Sequence, residues 1–256
     1  MRLLAELTRN ELASVAPRAL LVIPTAATEQ HGPHLPLATD TFIGEAVARS
    51  AVAEVGDDIE VVLAPLLPYG SSHHHLVYGA LSLSSSTYLA VAGDLLTSAI
   101  ASGFRTIFYL NSHGGNDECL KLAARDTVLE HDVVIGACSY WDVARSVLEA
   151  SAFPRSVPLP GHAGHFETCL MLAIAPELVE LDRLPGSEHG KTVQEVVGLA
   201  GVAGVAVRAA ADWRAIDGYT DSPTGPTAEL GHELLLLIGR AVGHAMTELY
   251  RAAASL

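Results

Sequence analysis

Two carboxylates and two histidines follow the first apolar run of the chain closely enough to share one site. They lie within the stretch 24–41, at Glu29, His31, His34 and Asp40. Carboxylates and imidazoles without thiols suit zinc, manganese or iron. Glu29 and His31 are two residues apart, so in extended backbone both side chains can reach one metal ion or two adjacent ones. Taken singly, Asp40 could be a helix N-cap and Glu29 a solvated carboxylate, but as a group these residues predict a metal site.

A second polar stretch, NSHGGN, covers residues 111–116 and also follows an apolar run. His113 is a candidate metal ligand or catalytic base, and the two glycines after it let the backbone approach a ligand closely. The alternative is a turn that binds an anion at the N-terminus of the next helix, with Asn116 as the cap. The stretch lacks the glycine spacing of phosphate-binding loops, which weakens that alternative.

The stretch 161–168, GHAGHFET, places histidines and a carboxylate at a predicted turn before a helix. If the helix begins near His165, Glu167 lies in its first turn, where the helix dipole favours a carboxylate. His162 precedes the helix among small residues and can approach a substrate. The alternative for Glu167 is a capping interaction alone.

Two further stretches offer side chains for substrate binding. Three successive histidines stand at 73–75, but neighbours in sequence cannot all point at one ion, so at most one or two would face a cleft. Tyr140 and Trp141 follow a predicted strand, where an aromatic ring can form a wall for a planar substrate. For Trp141, half-buried packing is the alternative.

The elements that must position these residues alternate between apolar, β-branched runs and helical periodicity, which is typical of βαβ units and a mostly parallel sheet. The predicted strands are Ala19–Pro24, Ile59–Pro65, Arg105–Leu110 and Val133–Cys138, with a further one at Gly201–Arg208. The predicted helices are Thr41–Val55, Ser86–Ser102, Asp117–Glu130 and Ala228–Ala253, with a turn leading into another helix within Gly161–Leu178. In such sheets ligands bind beyond the carboxyl ends of the strands, where the polar stretches fall.

Composition narrows the class of protein. The chain has 256 residues, 50% of them hydrophobic, and a formal net charge of −14, which argues against a nucleic-acid partner. No apolar run reaches the roughly 18 residues of a membrane span. Glu6 and Glu11 interrupt the region where a signal peptide needs an apolar stretch, so we expect a cytoplasmic protein. Three cysteines, none in a CxxC, predict neither a disulfide framework nor a cysteine zinc site. We expect one domain over residues 1–256.

The polar stretches, in this order, resemble the creatininase family, also called creatinine amidohydrolases. The matching blocks are TEQHGPHLPLATDT, His74 with Gly79 and LSL at 81–83, NSHGGN, SYWDV, HAGHFET and GYTDSPTGPTAELG. The resemblance implies an α/β fold, a three-layer α/β/α sandwich around a mostly parallel sheet. It also implies a binuclear metal centre, hydrolysis of an amide carbon–nitrogen bond and a ring-shaped homohexamer.

Residue by residue, the resemblance implies five metal ligands, one catalytic histidine and one tryptophan over the substrate. The implied ligands are Glu29, His31, Asp40 as the bridge, His113 and Glu167. His162 matches the catalytic histidine and Trp141 the tryptophan. His34, His74 and Tyr140 are expected near the substrate or behind the ligands, with His74 and His165 as the next candidates for the acid. The other six of the twelve histidines, His73, His75, His131, His189, His232 and His244, are expected to be ordinary surface or loop residues.

Two departures bear on the substrate. Creatininase has Tyr-Glu after the histidine of the third-strand motif, and that glutamate is a metal ligand, whereas this chain has Gly114 and Gly115. Creatininase also has a second tryptophan where this chain has Pro158. These differences argue against creatinine. The Gly-Gly form is more similar to relatives that hydrolyse formamidopyrimidines or trim the mycofactocin precursor peptide, although Phe166 and the residues 25–27 depart from the latter.

We therefore expect a hydrolase with two divalent ions, zinc first and manganese or iron as alternatives, acting on a small amide or short peptide. Such ions lower the pKa of a bound water to about 7, and His162 would give a proton to the leaving nitrogen. One rival is a non-catalytic metal- or ligand-binding protein on the same scaffold. A second, a nucleotide-binding oxidoreductase, lacks the glycine-rich fingerprint after the first strand.

Overall fold

Five parallel strands form the sheet of the computed structural model, which describes residues 1–185 and 212–255. The strands are β1 (Arg2–Leu3), β2 (Leu20–Thr25), β3 (Val61–Leu63), β4 (Thr106–Asn111) and β5 (Val134–Ser139). Their order is β1-β3-β2-β4-β5, and every pairing is parallel. The register of β2 and β4 runs from Leu20 beside Thr106 to Thr25 beside Asn111, so both strands end side by side. The predicted α/β fold with a mostly parallel sheet is confirmed.

Helices cover both faces of this sheet. They are α1 (Arg9–Val15), α2 (Thr39–Ala53), α3 (Ser85–Ala101), α4 (Asp117–Thr127), α5 (Tyr140–Glu149), α6 (His165–Ile174), α7 (Asp212–Ala215) and α8 (Ala228–Ala253). On one face, α2, α5, α6 and α8 pack over Leu20 and Val22 of β2. On the other, α1, α3 and α4 cover Leu21 and Ile23. Because both faces of the central strand β2 are buried, Leu20–Pro24 is an unbroken apolar run rather than an alternating one.

The predicted elements that fall on described residues match with shifted ends, whereas β1, α1, α5 and α7 were not predicted. Helix α2 begins at Thr39, with Ala38 as its N-cap, so Asp40 lies inside the first turn and is not the cap. Helix α4 ends at Thr127, and β3 is shorter than predicted. The predicted strand at 201–208 lies outside the described residues. No described helix is both long and apolar enough to cross a membrane.

Helix α8 packs closely on α6, the helix that carries Glu167. A Cβ added to Gly231 would overlap the carbonyl oxygen of Cys169 in α6. We therefore expect Gly231→Ala to lower the free energy of unfolding by about 1–3 kcal/mol. Gly93 in α3 has nothing within 4 Å of an added Cβ, so Gly93→Ala is the matched control. This substitution should raise the free energy of unfolding by about 0.5–1 kcal/mol, because alanine favours the helix over glycine.

The measurement is thermal unfolding of both variants beside the wild type, with a shift of about 2–4 °C per kcal/mol. Equal changes of the unfolding temperature in Gly231→Ala and Gly93→Ala, in the same direction, would contradict this prediction. Helix propensity rather than the contact between α6 and α8 would then decide stability.

Candidate metal and catalytic site

The aligned ends of β2 and β4 bring two polar loops together. Thr25 Oγ1 donates to Asn111 Oδ1 over 3.3 Å, which joins the last residues of the two strands. Asn111 then fixes the loop that carries His113, since its Nδ2 donates to the His113 carbonyl (2.7 Å) and its Oδ1 accepts from the His113 amide (3.1 Å). The register of the sheet thereby places His113 beside the loop that starts after Thr25.

His113 faces two carboxylates. Its Nδ1 lies 3.2 Å from Glu29 Oε1 and 3.2 Å from Asp40 Oδ2. Its Nε2 lies 3.2 Å from the carbonyl oxygen of Ser71, which can only accept. Nε2 therefore carries a proton in every form of the ring, and in the neutral form the lone pair of Nδ1 points at the carboxylates, as in a metal-binding histidine held by an outer carbonyl.

His31 makes the same arrangement on the other side of Asp40. Its Nδ1 donates to the Glu29 carbonyl over 3.1 Å, so in the neutral ring Nε2 holds the lone pair. Nε2 lies 3.1 Å from Asp40 Oδ1 and 3.8 Å from Glu167 Oε2. Asp40 thus presents one oxygen to the His31 side and the other to the His113 side.

These residues fit divalent cations. Glu29 is completely buried, and within the described ranges neither its oxygens nor Asp40 Oδ2 has a hydrogen-bond partner. A buried carboxylate without partners is costly, so these oxygens require positive charge. Ligands bound at 2.0–2.2 Å and 90–110° to each other lie about 3.0–3.5 Å apart, which matches most of the spacing seen here. Glu29, His31 and Asp40 form one of the groups whose ligand atoms converge.

The electrostatics of the site also favour bound cations. Burial opposes the charged form of His31, but the neighbouring Asp40 and Glu167 carboxylates raise its pKa to about 10. The pKa of His113 is raised well above its usual range against the same burial effect, chiefly by Glu29. Burial raises the pKa of Glu167 to about 7. The buried carboxylates thus favour protons on the imidazoles of His31 and His113, and bound metal ions could replace those protons.

The carboxylate of Glu167 has two contacts. Its Oε2 accepts a hydrogen bond from the amide of Ala163 and also faces His31. The sequence left a purely local role for Glu167 open as the alternative. The hydrogen bond from Ala163 is such a local interaction, and the carboxylate of Glu167 nevertheless lies at the site beside His31. The start of α6 is held from a distant loop by Asp221, whose Oδ2 accepts from the His165 amide over 2.9 Å.

Gln30 organises the histidines next to the carboxylates. Its Oε1 accepts from the Gly32 amide (2.9 Å), which orients the side-chain amide. Its Nε2 donates to the Gly218 carbonyl and lies 2.9 Å from His75 Nδ1 and 3.0 Å from His162 Nε2. With only two protons to give, Nε2 cannot serve all three neighbours. This competition decides which nitrogen of each imidazole is protonated.

His162 Nε2 also lies 2.9 Å from the carbonyl oxygen of Gln30, so it must be the donor there. The second amide proton of Gln30 then goes to His75 Nδ1, and His75 carries its own proton on Nε2, 3.5 Å from Glu29 Oε1. The lone pair of His162 is on Nδ1, 3.7 Å from the same oxygen. Burial lowers the pKa of both histidines, which keeps them neutral.

The expectation that His75 is an ordinary loop residue is wrong, because His75 is fully buried beside Glu29. The backbone at 73–75 is a 3-10 turn, whose tight winding buries His75 and leaves His74 half-buried. His74 lies with its ring parallel to that of His113, 5.7 Å between centroids. Of the three successive histidines, two therefore reach the site.

The two tryptophans occupy different places. Trp141 lies in the core beside α2, α6 and α8, 9% exposed, with its ring edge-on to Tyr140 at 5.0 Å. Trp213 contacts the site instead, with its ring 4.3 Å from that of His75 and 5.1 Å from that of His162. Sequence reasoning missed Trp213, because it stands next to a stretch without clear periodicity.

Tyr140 and His34 are both buried at the edge of the site. Burial raises the pKa of Tyr140 well above its usual range, and the negative charges of Glu167 and Asp40 add to this. His34 Nε2 lies 2.9 Å from Thr168 Oγ1, which itself donates to the Gly164 carbonyl. His34 therefore ties the loop 28–38 to helix α6.

Comparisons with known proteins agree with this geometry. The family model described as "Creatininase: Creatinine amidohydrolase" matches residues 5–246. The mycofactocin precursor peptide peptidase of Mycolicibacterium smegmatis is 37% identical over 180 residues, 69% of this chain and 66% of that protein. The match thus spans just under two thirds of that relative's length.

More distant relatives share the name of the family. Creatinine amidohydrolase of Pseudomonas putida is 29% identical over 198 residues, 70% of this chain and 74% of that protein. A solved mutant creatininase of Zn-Zn type superposes with a TM-score of 0.77 at 25% identity, covering 96% of this chain and 97% of the other. Given this match along nearly the whole chain, the protein belongs to the creatininase family.

Proposed function

We propose that the protein is a metal-dependent amidohydrolase that cleaves an amide carbon–nitrogen bond other than an ordinary peptide bond, using two divalent ions. The observation that carries this proposal is Asp40, whose two oxygens face two separate sets of ligand atoms. Glu29 and His113 would complete one set, and His31 and Glu167 the other. Bound divalent ions supply polarisation of the amide carbonyl and a water of lowered pKa.

The chain's own residues then handle the protons. His162 is neutral and presents the lone pair of Nδ1 toward Glu29, so it can take a proton from the attacking water. The same nitrogen can pass that proton to the leaving nitrogen, which completes the hydrolysis. The Gln30 carbonyl holds the opposite ring nitrogen and prevents the imidazole from turning. Trp213 and His75 line the same side of the site and limit the water that reaches it.

The substrate class that we propose is a small amide, such as a cyclic amide or a formamide, or a short peptide. Gly114 and Gly115 stand where creatininase itself has Tyr-Glu, and this difference supports a substrate other than creatinine. Trimming a ribosomally made peptide is the second candidate, supported by relatives named mycofactocin precursor peptide peptidase. All five ligand positions implied by the resemblance keep a ligating residue, which argues against a non-catalytic binding protein.

The remaining proposals concern metal identity, assembly and compartment. We propose zinc first, with manganese or iron as alternatives; solved creatininases of Zn-Zn and Mn types support this choice. The family resemblance supports a homohexamer, which light scattering tests. Three cysteines without a disulfide support a cytoplasmic location.

The experiment that tests the function begins with protein stripped by a chelator. Zinc or manganese is added back, and product release is followed on a cyclic amide, an N-formyl compound and short peptides. We expect hydrolysis of at least one class, lost on chelation and restored by the metal. Hydrolysis unaffected by complete removal of metal would contradict the proposal, as would no hydrolysis by protein loaded with two ions across all three classes.

Metal binding should also release protons. In the metal-free protein the raised pKa values of His31 and His113 keep both imidazoles protonated at pH 7, whereas a metal ligand must be neutral. About two protons per chain from these imidazoles, and a further fraction of a proton from Glu167, should therefore leave on saturation with zinc at pH 7. Metal affinity should rise with pH toward the pKa of His31. Titration calorimetry in two buffers of different ionisation enthalpy gives the number. Proton release near zero would contradict the assignment of these two ligands.

A further inference from the structure

The segment 161–164 has an unusual backbone between two groups of the site. Ala163 adopts a left-handed conformation with a φ of 52°, although it carries a Cβ, and it is fully buried. Its amide donates to the carboxylate of Glu167, while His162, one residue earlier, faces Glu29. A left-handed alanine persists only where the surrounding structure holds it. The contacts that hold this segment therefore decide how both groups meet the site.

Thr220 holds the backbone of His162 with two hydrogen bonds. Its amide donates to the His162 carbonyl (3.0 Å), and its Oγ1 accepts from the His162 amide (2.7 Å). The same Oγ1 lies 3.0 Å from the charged Asp221 Oδ1 and 3.3 Å from the His162 carbonyl oxygen, so its one proton goes to Asp221. A Cβ on Gly161 would lie 2.8 Å from this hydroxyl oxygen, so a side chain there would displace it.

Asp221 takes the place of a capping side chain at the start of α6. The N-cap residue Gly164 has no side chain that could accept from the first turn. Asp221 Oδ2 accepts from the His165 amide instead (2.9 Å), where the helix dipole favours a carboxylate. A Cβ on Gly164 would overlap this carboxylate. Asp221 is buried, and both of its oxygens accept a hydrogen bond. Thr220 and Asp221 thus hold the segment on both sides of its left-handed residue.

The same loop also reaches the ring of His162. The Gly218 carbonyl accepts from Nε2 of Gln30, and the backbone carbonyl of Gln30 accepts from His162 Nε2. Gly218 has a φ of 81°, and a Cβ there would lie 2.9 Å from Gln30 Oε1. The loop 218–221 therefore fixes the backbone of His162 directly and its ring through Gln30.

We propose that Thr220 and Asp221 are positioning residues that keep the imidazole of His162 aimed at the metal-ligand carboxylates. They act by holding the segment 161–164 in its left-handed form. The inference rests on the proposed function for the role of His162 in proton transfer, whereas the hydrogen bonds that hold the segment do not depend on it. A displacement of about 1 Å at a reacting group can cost about 10²-fold in rate, so loss of these hydrogen bonds should lower turnover.

The test compares Thr220→Val, which keeps the shape of the side chain without its hydroxyl, with Thr220→Ser, which keeps the hydroxyl. Kinetics are measured on whichever of the three substrate classes the zinc-loaded wild type hydrolyses. Thr220→Val should lower kcat by about 10²-fold, with a smaller change in KM and the metal content of the wild type. Thr220→Ser should restore most of the rate. Thr224→Val makes the same change at an exposed threonine nearby, and this matched control should behave as the wild type.

A second readout needs no substrate. The His162 Nε2 proton, held by the Gln30 carbonyl, should give a downfield imidazole resonance in the proton NMR spectrum, assigned by its loss in His162→Gln. This resonance should shift or vanish in Thr220→Val. It should keep its position in Thr220→Ser and in Thr224→Val.

The kcat of the wild type in Thr220→Val, or an equal loss of kcat in Thr220→Val and Thr220→Ser, would overturn the inference and leave the proposed function intact. A wild type that hydrolyses nothing, with the resonance moving as described, would overturn the proposed function and support the positioning role. If Thr220→Val fails to fold, Gly164→Ala replaces it, because the added Cβ displaces the Asp221 carboxylate without removing a hydrogen-bonding group. An unchanged kcat and resonance in Gly164→Ala would then contradict the inference.

Discussion

Asp40→Ala is expected to bind neither metal ion tightly and to lose hydrolysis by about 10³-fold or more. Its two oxygens contact His31 on one side and His113 on the other, so removal of one carboxylate damages both sets of ligands. Metal ions contribute several kcal/mol of transition-state stabilisation, and each 1.36 kcal/mol is a factor of ten in rate. Elemental analysis of purified protein gives the metal content, and hydrolysis is measured in parallel.

Asp94→Ala is the matched control for that variant, because Asp94 is an exposed aspartate within helix α3. It should keep two ions per chain and the rate of the wild type. Asp40→Asn preserves the shape of the side chain and should still lose most of the metal, which separates an effect of charge from one of folding. Full metal content in both Asp40 variants would remove the basis for a bridged centre.

His162→Ala should lower kcat by about 10²- to 10⁴-fold while metal content stays at the level of the wild type. The physical reason is that Nδ1 of His162 moves the proton, whereas the five other ligand candidates hold the metal. KM should change less than kcat, since the proton is transferred only in the chemical steps. Steady-state kinetics with saturating metal, together with elemental analysis, provide the measurement.

His244→Ala, which alters an exposed histidine on α8, is the control and should leave the rate unchanged. An unchanged rate in His162→Ala would assign the proton transfer to another imidazole. His75 is then the first candidate, because its Nε2 proton faces Glu29. Loss of metal in His162→Ala would instead make His162 a ligand.

Much of the fold was predictable because the strands are apolar on both faces and the helices keep a 3.6-residue period. Some missed elements nevertheless carry a pattern: helix α5 buries Tyr140, Ala144 and Leu148 at helical spacing, although no helix was predicted there. Strand β1 has two residues, too few to show any period. Helix α1 does have a local signal, since Thr8 and Glu11 form a capping box at its start.

Within the site, the charged residues could be predicted from the sequence. Glu29, Asp40 and Glu167 are carboxylates next to apolar runs, and their position at strand ends or helix starts predicted where they meet. Gln30 carries no charge, and only its hydrogen bonds to two imidazoles show what it does. Trp213 reaches the site from a stretch far along the chain, which no local pattern predicts.

His75 was missed for a geometric reason. Three successive histidines in a short loop have no periodicity, so sequence alone cannot assign the direction of each ring. The 3-10 turn at 73–75 decides it by burying His75 and leaving His73 exposed.

The central claim is a pair of metal ions bridged by Asp40, and anomalous diffraction from crystals of zinc-loaded protein tests it most directly. We predict two anomalous peaks about 3.5–4 Å apart. One should lie within bonding distance of Asp40 Oδ1 and His31, the other of Asp40 Oδ2 and His113. A single peak, or two peaks of which neither lies within bonding distance of Asp40, would contradict the account.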